Sequence, residues 1–429
     1  MERIKVGLVG FGTVGSSFYE LIEKHKDRLK EQLGVEINIT KVGVNNPRKH
    51  LNSLPAGVLL EGYEDILKDE KLPIIVELVG GVEKPLDLVS RALKAGKHVI
   101  TANKALLSQH GDTLFRLARE NGVELKFEAS VGGGIPVIKV IRESLKGNEI
   151  ESIMGILNGT TNFILTRMTE EKLTFKEALT EAQKLGFAEA DPILDVEGVD
   201  AAQKISLLAS ISFRKWVDYR EILCEGIGKV TKKDIEFAEY SGFVFKLIAT
   251  AKMDKGRAVV TVFPALLPKS HPLASVREEY NGVLIKSDFL GTSMYLGRGA
   301  GGSATASSVA SDLGDLIERI RMKALPDPVE LSPIEKLELF PQGELSYKYF
   351  LHFVTDNKPG IWATVTGLLA SNNINIESVQ QKWEDPTKLS DLYILVDITK
   401  ESFVRKAFRE IVNSPGIHTE SCFFRILED

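Results

Sequence analysis

Apolar and polar positions divide this chain into regions of different rhythm. Over residues 1–130, short and nearly continuous apolar runs alternate with segments whose apolar residues recur at helical spacing. Residues 4–9 (IKVGLV), 73–80 (PIIVELVG) and 98–101 (HVIT) read as strands buried on both faces. Residues 36–44 (EINITKVGV) alternate as a further strand. Between them, Phe18, Leu21 and Ile22 mark one helical stripe, and the segments before His98 and before residue 125 mark others. Strands alternating with helices predict a Rossmann-type, doubly wound parallel sheet over 1–130. A second unit is expected over 131–325, its final helix, about 305–322, packing back on the first unit. Residues 322–345 carry four prolines and little periodicity, so 326–346 read as a linker. Residues 347–429 run strand, helix, strand, strand, helix, strand, the ferredoxin-like order. The linker predicts a final unit that moves and that is separable by a cut after Leu345.

Length supports this division, because 429 residues exceed one compact core. Apolar content of 43% and charged content of 26% are ordinary for a globular protein. A formal charge of −5 gives no argument for nucleic acid or an anionic membrane as partner. No apolar stretch is long enough to span a bilayer, and the first residues run directly into a strand, so no secretory leader is expected. Cys224 and Cys422 lie far apart and match no metal spacing, which fits a reducing cytoplasm.

The first candidate chemistry is VGLVGFGTVG, residues 6–15. Gly10, Gly12 and Gly15 stand at G-x-G-x-x-G after a strand and before a helix, at the start of a βαβ series. Gly10 permits the tight turn, Gly12 lets backbone approach a pyrophosphate, and Gly15 lets helix and strand pack closely. The helix N-terminus then offers free N–H groups to the anion. After the second strand, Asn45 and Asn46 occupy the place of the acid that reads an NAD ribose, and Arg48 and Lys49 follow. Either that pair reads a 2′-phosphate, favouring NADP, or it is a solvated basic loop. In TANK, residues 101–104, Thr101 ends a strand at the carboxyl edge of the sheet. Lys104 is either a charge near cofactor and substrate or a surface residue beside a loop.

The second unit opens on EASVGGGIP, residues 128–136. Its three glycines form either a cation site of backbone oxygens or a hinge. Asn158, Gly159, Thr160 and Thr161 precede a helix, as its cap, as a polar substrate loop, or as both. In 186–211, Glu189, Asp191, Asp195, Glu197 and Asp200 crowd together before an apolar helix. Asp200 and Lys204 are i and i+4 on that helix. They form either a surface ion pair or a lysine held as general acid beside an ammonium-binding loop. Gly297, Gly299 and Gly302 repeat the glycine spacing without an apolar strand before them. That loop either reaches back over a cofactor, through Gly301 and Gly302, or is a flexible turn.

GFGTVG, TANK, EASVGGGIP, NGTTN, GFAEADPILDVEGVDAAQK and GRGAGG occur here in the order found in homoserine dehydrogenases, and residues 1–325 resemble that family. The resemblance implies reversible reduction of L-aspartate 4-semialdehyde to L-homoserine with a nicotinamide cofactor. It implies an α+β, mixed-sheet second domain that also forms a homodimer interface. It places Lys204, Asp200 and Lys104 at the reacting carbonyl, with Glu189, Asp195 and residues 158–161 around the amino acid. It places Thr13, Val14, Lys104, Gly301 and Gly302 against the cofactor. It implies a sodium-type monovalent cation site on main-chain oxygens of Glu128, Val131, Gly133 and Ile135. One departure is VNN, where many members carry a VRD-like stretch, and it leaves NADP and NAD both open. Residues 356–360 and 373–376 resemble an ACT domain, with DNKPG one residue longer than the usual loop. That likeness implies an amino-acid effector, with threonine the first candidate, or else a dimerisation module. The whole reading is a monofunctional, ACT-regulated enzyme. The competing readings are an NADP-dependent reductase of another amino-acid semialdehyde and a non-catalytic amino-acid sensor.

Overall fold

The computed structural model describes residues 2–50, 54–55, 58–324, 335–382 and 389–428. The first sheet contains β1 (Arg3–Val9), β2 (Glu36–Val44), β3 (Leu59–Glu61), β4 (Ile74–Glu77), β5 (His98–Thr101) and β6 (Leu125–Lys126). Its order is β3-β2-β1-β4-β5-β6, with every pairing parallel. The order reverses between β1 and β4, which opens a crevice at the carboxyl ends of those strands. Both faces are covered. One side receives the helix Gly302–Arg321, which inserts Ala306, Val309, Leu313, Leu316 and Ile317 into the core formed by Val6, Phe18 and Ile22. A late segment of the chain thus completes the first domain.

The second sheet contains β7 (Ile150–Ile156), β8 (Leu223–Cys224), β9 (Phe243–Asp254), β10 (Arg257–Pro268), β11 (Tyr280–Ser287) and β12 (Gly291–Arg298). It continues through β13 (Ser346–Thr355), β14 (Ile376–Lys382), β15 (Ser390–Lys400) and β16 (Cys422–Ile426). The order is β12-β11-β7-β9-β10-β16-β13-β15-β14, with β8 beside β10. Pairings are antiparallel except β10 with β8 and with β16. The sheet is therefore mixed, and the last four strands keep the ferredoxin-like order within it.

This joint corrects the picture of a mobile C-terminal unit. Ala265 pairs with Arg425 and Leu266 with Ile426, so one sheet crosses from the second unit into the third. Phe237 stacks on Tyr393 with ring centroids 4.2 Å apart, and Phe245 meets Phe424 edge-on at 4.9 Å. Arg425, fully buried, bonds Glu225 at 2.7 Å and also reaches Glu401. An apolar, paired and sheet-continuous interface argues against independent motion. The second half of the expected linker is also anchored. Lys336 bridges to Trp216, Leu339 bridges to Ala258, and Leu337 is buried. Residues 326–334, the rest of that expected linker, lie outside the described residues.

Strand β12 does precede the second glycine loop. Its side chains are half exposed along an edge, so the strand leaves no apolar run in the sequence.

Candidate active site

The dinucleotide crevice begins at the turn after β1. Gly10 has φ +99°, and a Cβ there would stand 2.5 Å from the Leu78 carbonyl oxygen. A Cβ on Gly15 would stand 2.1 Å from the Gly10 oxygen, so the helix Thr13–Lys24 packs directly on the turn. A Cβ on Gly12 would meet nothing within 4 Å. Two glycines thus shape the turn, and the third leaves the helix N-terminus open to an anion. A cavity of about 490 Å³ lies alongside, lined by Gly10, Gly12, Val44, Lys49, Val79 and Lys84 among others. Lys49 lines it, whereas Arg48 does not. Lys84, in the first turn of the helix Glu83–Lys94, is a cation the sequence reading missed. These residues fit a dinucleotide: an open anion-binding helix end beside a cavity with two lysines.

Thr13 and the loop at Gly301 and Gly302 come together. A Cβ on Gly302 would stand 2.9 Å from the Thr13 oxygen, and Gly301 adopts φ +109° at the start of its helix. Thr101 faces inward. Its hydroxyl donates to the buried Glu77 carboxylate at 2.5 Å and accepts from the Asn103 amide at 3.0 Å.

Lys104 opens the helix Lys104–Glu120, capped by the Asn103 side chain. The helix Val199–Phe213 supplies Asp200 and Lys204 one turn apart, packed against β9 and β10. The two helices meet at Asp200. Lys204 Nζ donates to Asp200 Oδ2 at 2.7 Å and to the Leu157 carbonyl at 2.7 Å. Lys104 Nζ stands 3.1 Å from Asp200 Oδ1. Asn158 Nδ2 donates to Asp200 at 2.9 Å and to Asp195 at 2.7 Å. Burial pushes the Asp200 carboxyl up, but Lys204 and then Lys104 outweigh it and hold it well below the carboxylate range. The Asp200 charge raises Lys104 and keeps it cationic. Burial, and then Asp200, raises Asp195. Glu189 is exposed at the rim, where its charge also acts on Lys104. Asp200 and Lys204 are buried, while the Lys104 side chain keeps 37% of its exposure.

The loop at 158–161 caps its own helix. Asn158 Oδ1 accepts from the Thr161 amide and hydroxyl, Thr160 donates to the Phe187 carbonyl, and Gly159 packs against the Glu279 oxygen. What sequence reading missed here is the Leu157 carbonyl, because a backbone acceptor has no residue-type signal. Glu77 and Asn103 did leave signals: one acid closing an apolar strand, and one asparagine before a helix.

Around residues 128–136, Gly132 and Gly133 adopt positive φ and turn the loop. The Gly133 carbonyl accepts from Ser308 at 2.6 Å and that of Ile135 from the Val137 amide at 2.8 Å. The Glu128 carboxylate accepts from the amides of Ile138 and Lys139, and the Glu128 carbonyl accepts a long bond from Val131. Burial, and then the Asp312 charge, pushes the Glu128 carboxyl up to about 8.

A buried carboxylate that holds two ammonium groups beside a dinucleotide crevice suits hydride exchange at a carbonyl, where charge grows on oxygen. Known proteins agree. A model described as the NAD binding domain of homoserine dehydrogenase matches residues 10–128, and one described as homoserine dehydrogenase matches 136–313. One described as an AHAS small subunit-like ACT domain matches 351–418. A homoserine dehydrogenase of Synechocystis is 38% identical over 433 residues, covering 99% of both chains. The solved homoserine dehydrogenase of Thiobacillus denitrificans superposes with a TM-score of 0.94 at 34% identity, covering 100% of this chain and 99% of that one. A hyperthermophilic archaeal homoserine dehydrogenase mutant, solved in complex with NADPH, gives 0.63 at 27% identity, over 75% of this chain and 98% of its own. No helix among the described residues is long and apolar enough to cross a membrane. Sequence, site and likeness converge, and this chain belongs to the homoserine dehydrogenases, with a nicotinamide-binding unit, a catalytic unit and a C-terminal ACT-like unit.

Proposed function

We propose that Lys204 and Lys104 are the cations at the reacting oxygen when this homoserine dehydrogenase interconverts L-aspartate 4-semialdehyde and L-homoserine. The observation that carries the reading is Asp200 shared between two ammonium groups. Two lysines and one carboxylate leave one net positive charge where an alkoxide forms. Two of the three Lys204 N–H bonds are committed, to Asp200 and Leu157, so the third has a fixed direction. Lys204 donates the proton to the substrate oxygen on reduction and takes it back on oxidation. Asp195 and Glu189 hold the substrate ammonium, and Asn158 sets Asp195 against Asp200. The dinucleotide, when bound, supplies or accepts the hydride. In this reading Gly10, Gly12, Thr13, Val14 and Gly15 hold it, supported by the open helix end at Gly12 and by Gly302 lying against Thr13.

NADPH is the favoured donor in this reading, supported by the missing acid after β2 and by Lys49 and Lys84 on the cavity. The archaeal relative solved with NADPH is consistent with that preference. A sodium-type ion on the main-chain oxygens of Glu128, Val131, Gly133 and Ile135 is supported by a loop turned by two positive-φ glycines beside the buried acidic side chains of Glu128 and Asp312. An amino-acid effector, threonine first, belongs to the turn at 356–360, where Gly360 (φ +93°) begins the helix Ile361–Ser371. A homodimer pairs through the second unit, whose edge strand β12 exposes Leu296. A reducing cytoplasm suits the two free cysteines. Initial rates with homoserine and each of NAD⁺ and NADP⁺ test the reading. No turnover of homoserine overturns the assignment of the reaction, and faster turnover with NAD⁺ overturns the cofactor preference.

A further inference from the structure

The site leaves one buried acid without a part. Glu77 ends β4 with no exposed surface, at the topological switch point. In the sheet it lies in register between Val9 of β1 and Thr101 of β5. Its Oε1 accepts from the Val79 amide at 2.6 Å, and its Oε2 accepts from the Thr101 hydroxyl at 2.5 Å. Thr101 in turn accepts from the Asn103 amide at 3.0 Å. The Asn103 side chain returns to the same loop, donating to the Val79 carbonyl at 3.2 Å and the Gly81 carbonyl at 2.8 Å. Its oxygen caps the helix that begins at Lys104. The bonds close a ring: Glu77, Thr101, Asn103, Val79 and back to Glu77. One side of that ring is the loop that lines the dinucleotide cavity through Leu78, Val79 and Gly80. The opposite side carries Lys104, 3.1 Å from Asp200.

We propose that Glu77 is a positioning residue that sets the cofactor loop at 78–81 and the Lys104 ammonium in one fixed relation, through Thr101 and Asn103. A buried acid in a core strand is costly unless it is fully bonded, and this one spends its bonds on the two rims of the crevice. The Lys104 half of the inference rests on the role proposed above for that lysine. The cofactor half does not.

The test pairs Glu77→Ala and Glu77→Gln with Asn103→Ser, which keeps a helix cap but loses the reach to Val79 and Gly81. NADPH affinity is read by fluorescence titration, and kcat and KM by steady-state rates. Glu77→Ala is expected to weaken NADPH binding about fivefold and lower kcat about tenfold, since misplacement by about an ångström is costly at such sites. Glu77→Gln keeps the acceptor for Val79 and turns an amide N–H toward the Thr101 oxygen, reversing that one bond, so it is expected to recover part of both losses. Asn103→Ser is expected to show the same paired loss with little change in melting temperature. The double variant is expected to lose much less than the product of the single losses, because both act through one ring. If Glu77→Ala does not fold, Asn103→Ser decides. Unchanged NADPH affinity and kcat in Asn103→Ser, independent losses in the double variant, or no rescue by Gln would overturn the proposal. Weakened NADPH binding with kcat unchanged would locate the failure in the Lys104 role and leave the cofactor-loop role standing.

Discussion

Asp200 and Lys204 stand one helical turn apart, and the carboxylate that holds the Lys204 ammonium at 2.7 Å presents its other oxygen to Lys104 at 3.1 Å. One side chain thereby orders cations from two domains. Neutralising it leaves two adjacent ammonium groups, so Asp200→Asn is expected to displace Lys104 as well as loosen Lys204.

Lys204→Ala is expected to lower kcat by about 10²–10⁴, the usual loss of a positioned general acid. NADPH affinity is expected to stay near wild type, because Lys204 reaches Leu157 and Asp200 and not the cavity. Steady-state rates with a fluorescence titration check both. A kcat within a few-fold of wild type would remove Lys204 from the chemistry.

Lys49 and Arg48 are expected to differ. Lys49 lines the cavity and Arg48 does not. Lys49→Ala should raise KM for NADPH and spare NADH, with Arg48→Ala changing either by less than about twofold. Equal changes for both cofactors would show that Lys49 does not read a 2′-phosphate.

His352 of β13 lies buried between Asp234 of the helix Lys232–Tyr240, at 2.7 Å, and Asp391 of β15, at 3.0 Å. It joins the ACT-like unit to the catalytic unit. Lys233 bonds Asp391, Tyr393 stacks on the imidazole and Cys422 lies nearby. Burial disfavours the imidazolium, but the two carboxylates outweigh it and push His352 up to about 9. A raised histidine stabilises fully below its unfolded value of about 6.5, and that contribution is lost as pH rises through about 9. Melting temperature is expected to fall between about pH 7 and 10, and less steeply in His352→Gln. Identical pH slopes in thermal scans would rule this out.

The C-terminal unit is expected to be inseparable. A cut after Leu345 removes β13 to β16, takes β16 from the side of β10 while β9 and β8 remain, and uncovers Phe237, Phe245 and Phe263. The truncated chain should bind a hydrophobic dye and elute as aggregate. A truncated chain with a cooperative melt and wild-type turnover would show that the docking is dispensable. Effector control is then better tested in the full chain. Asp356, bonded to Lys358 and His418, sits in the turn at 356–360; under the proposal that threonine is the effector, threonine titration of steady-state rates is expected to show inhibition of the full chain that Asp356→Ala blunts, with uninhibited kcat intact.

Local pattern determined much of this protein. The G-x-G-x-x-G turn, strand β5 at its observed limits and the i, i+4 pair of Asp200 and Lys204 are written in short stretches, because backbone sterics and helical periodicity act over a few residues. The βαββαβ order of the last unit was legible for the same reason. Tertiary structure decided what those elements face. That Lys104 meets Asp200, that Glu77 closes a ring through Asn103, and that β16 joins β10 are contacts between segments far apart in the chain. They depend on packing and on backbone carbonyls that no residue type announces. Prolines near 326–341 signalled a break in regular structure, yet they carried no information on whether the unit beyond would dock. Docking was decided by apolar faces, of Phe237 and Phe245 against Tyr393 and Phe424, that become complementary only once both units are folded.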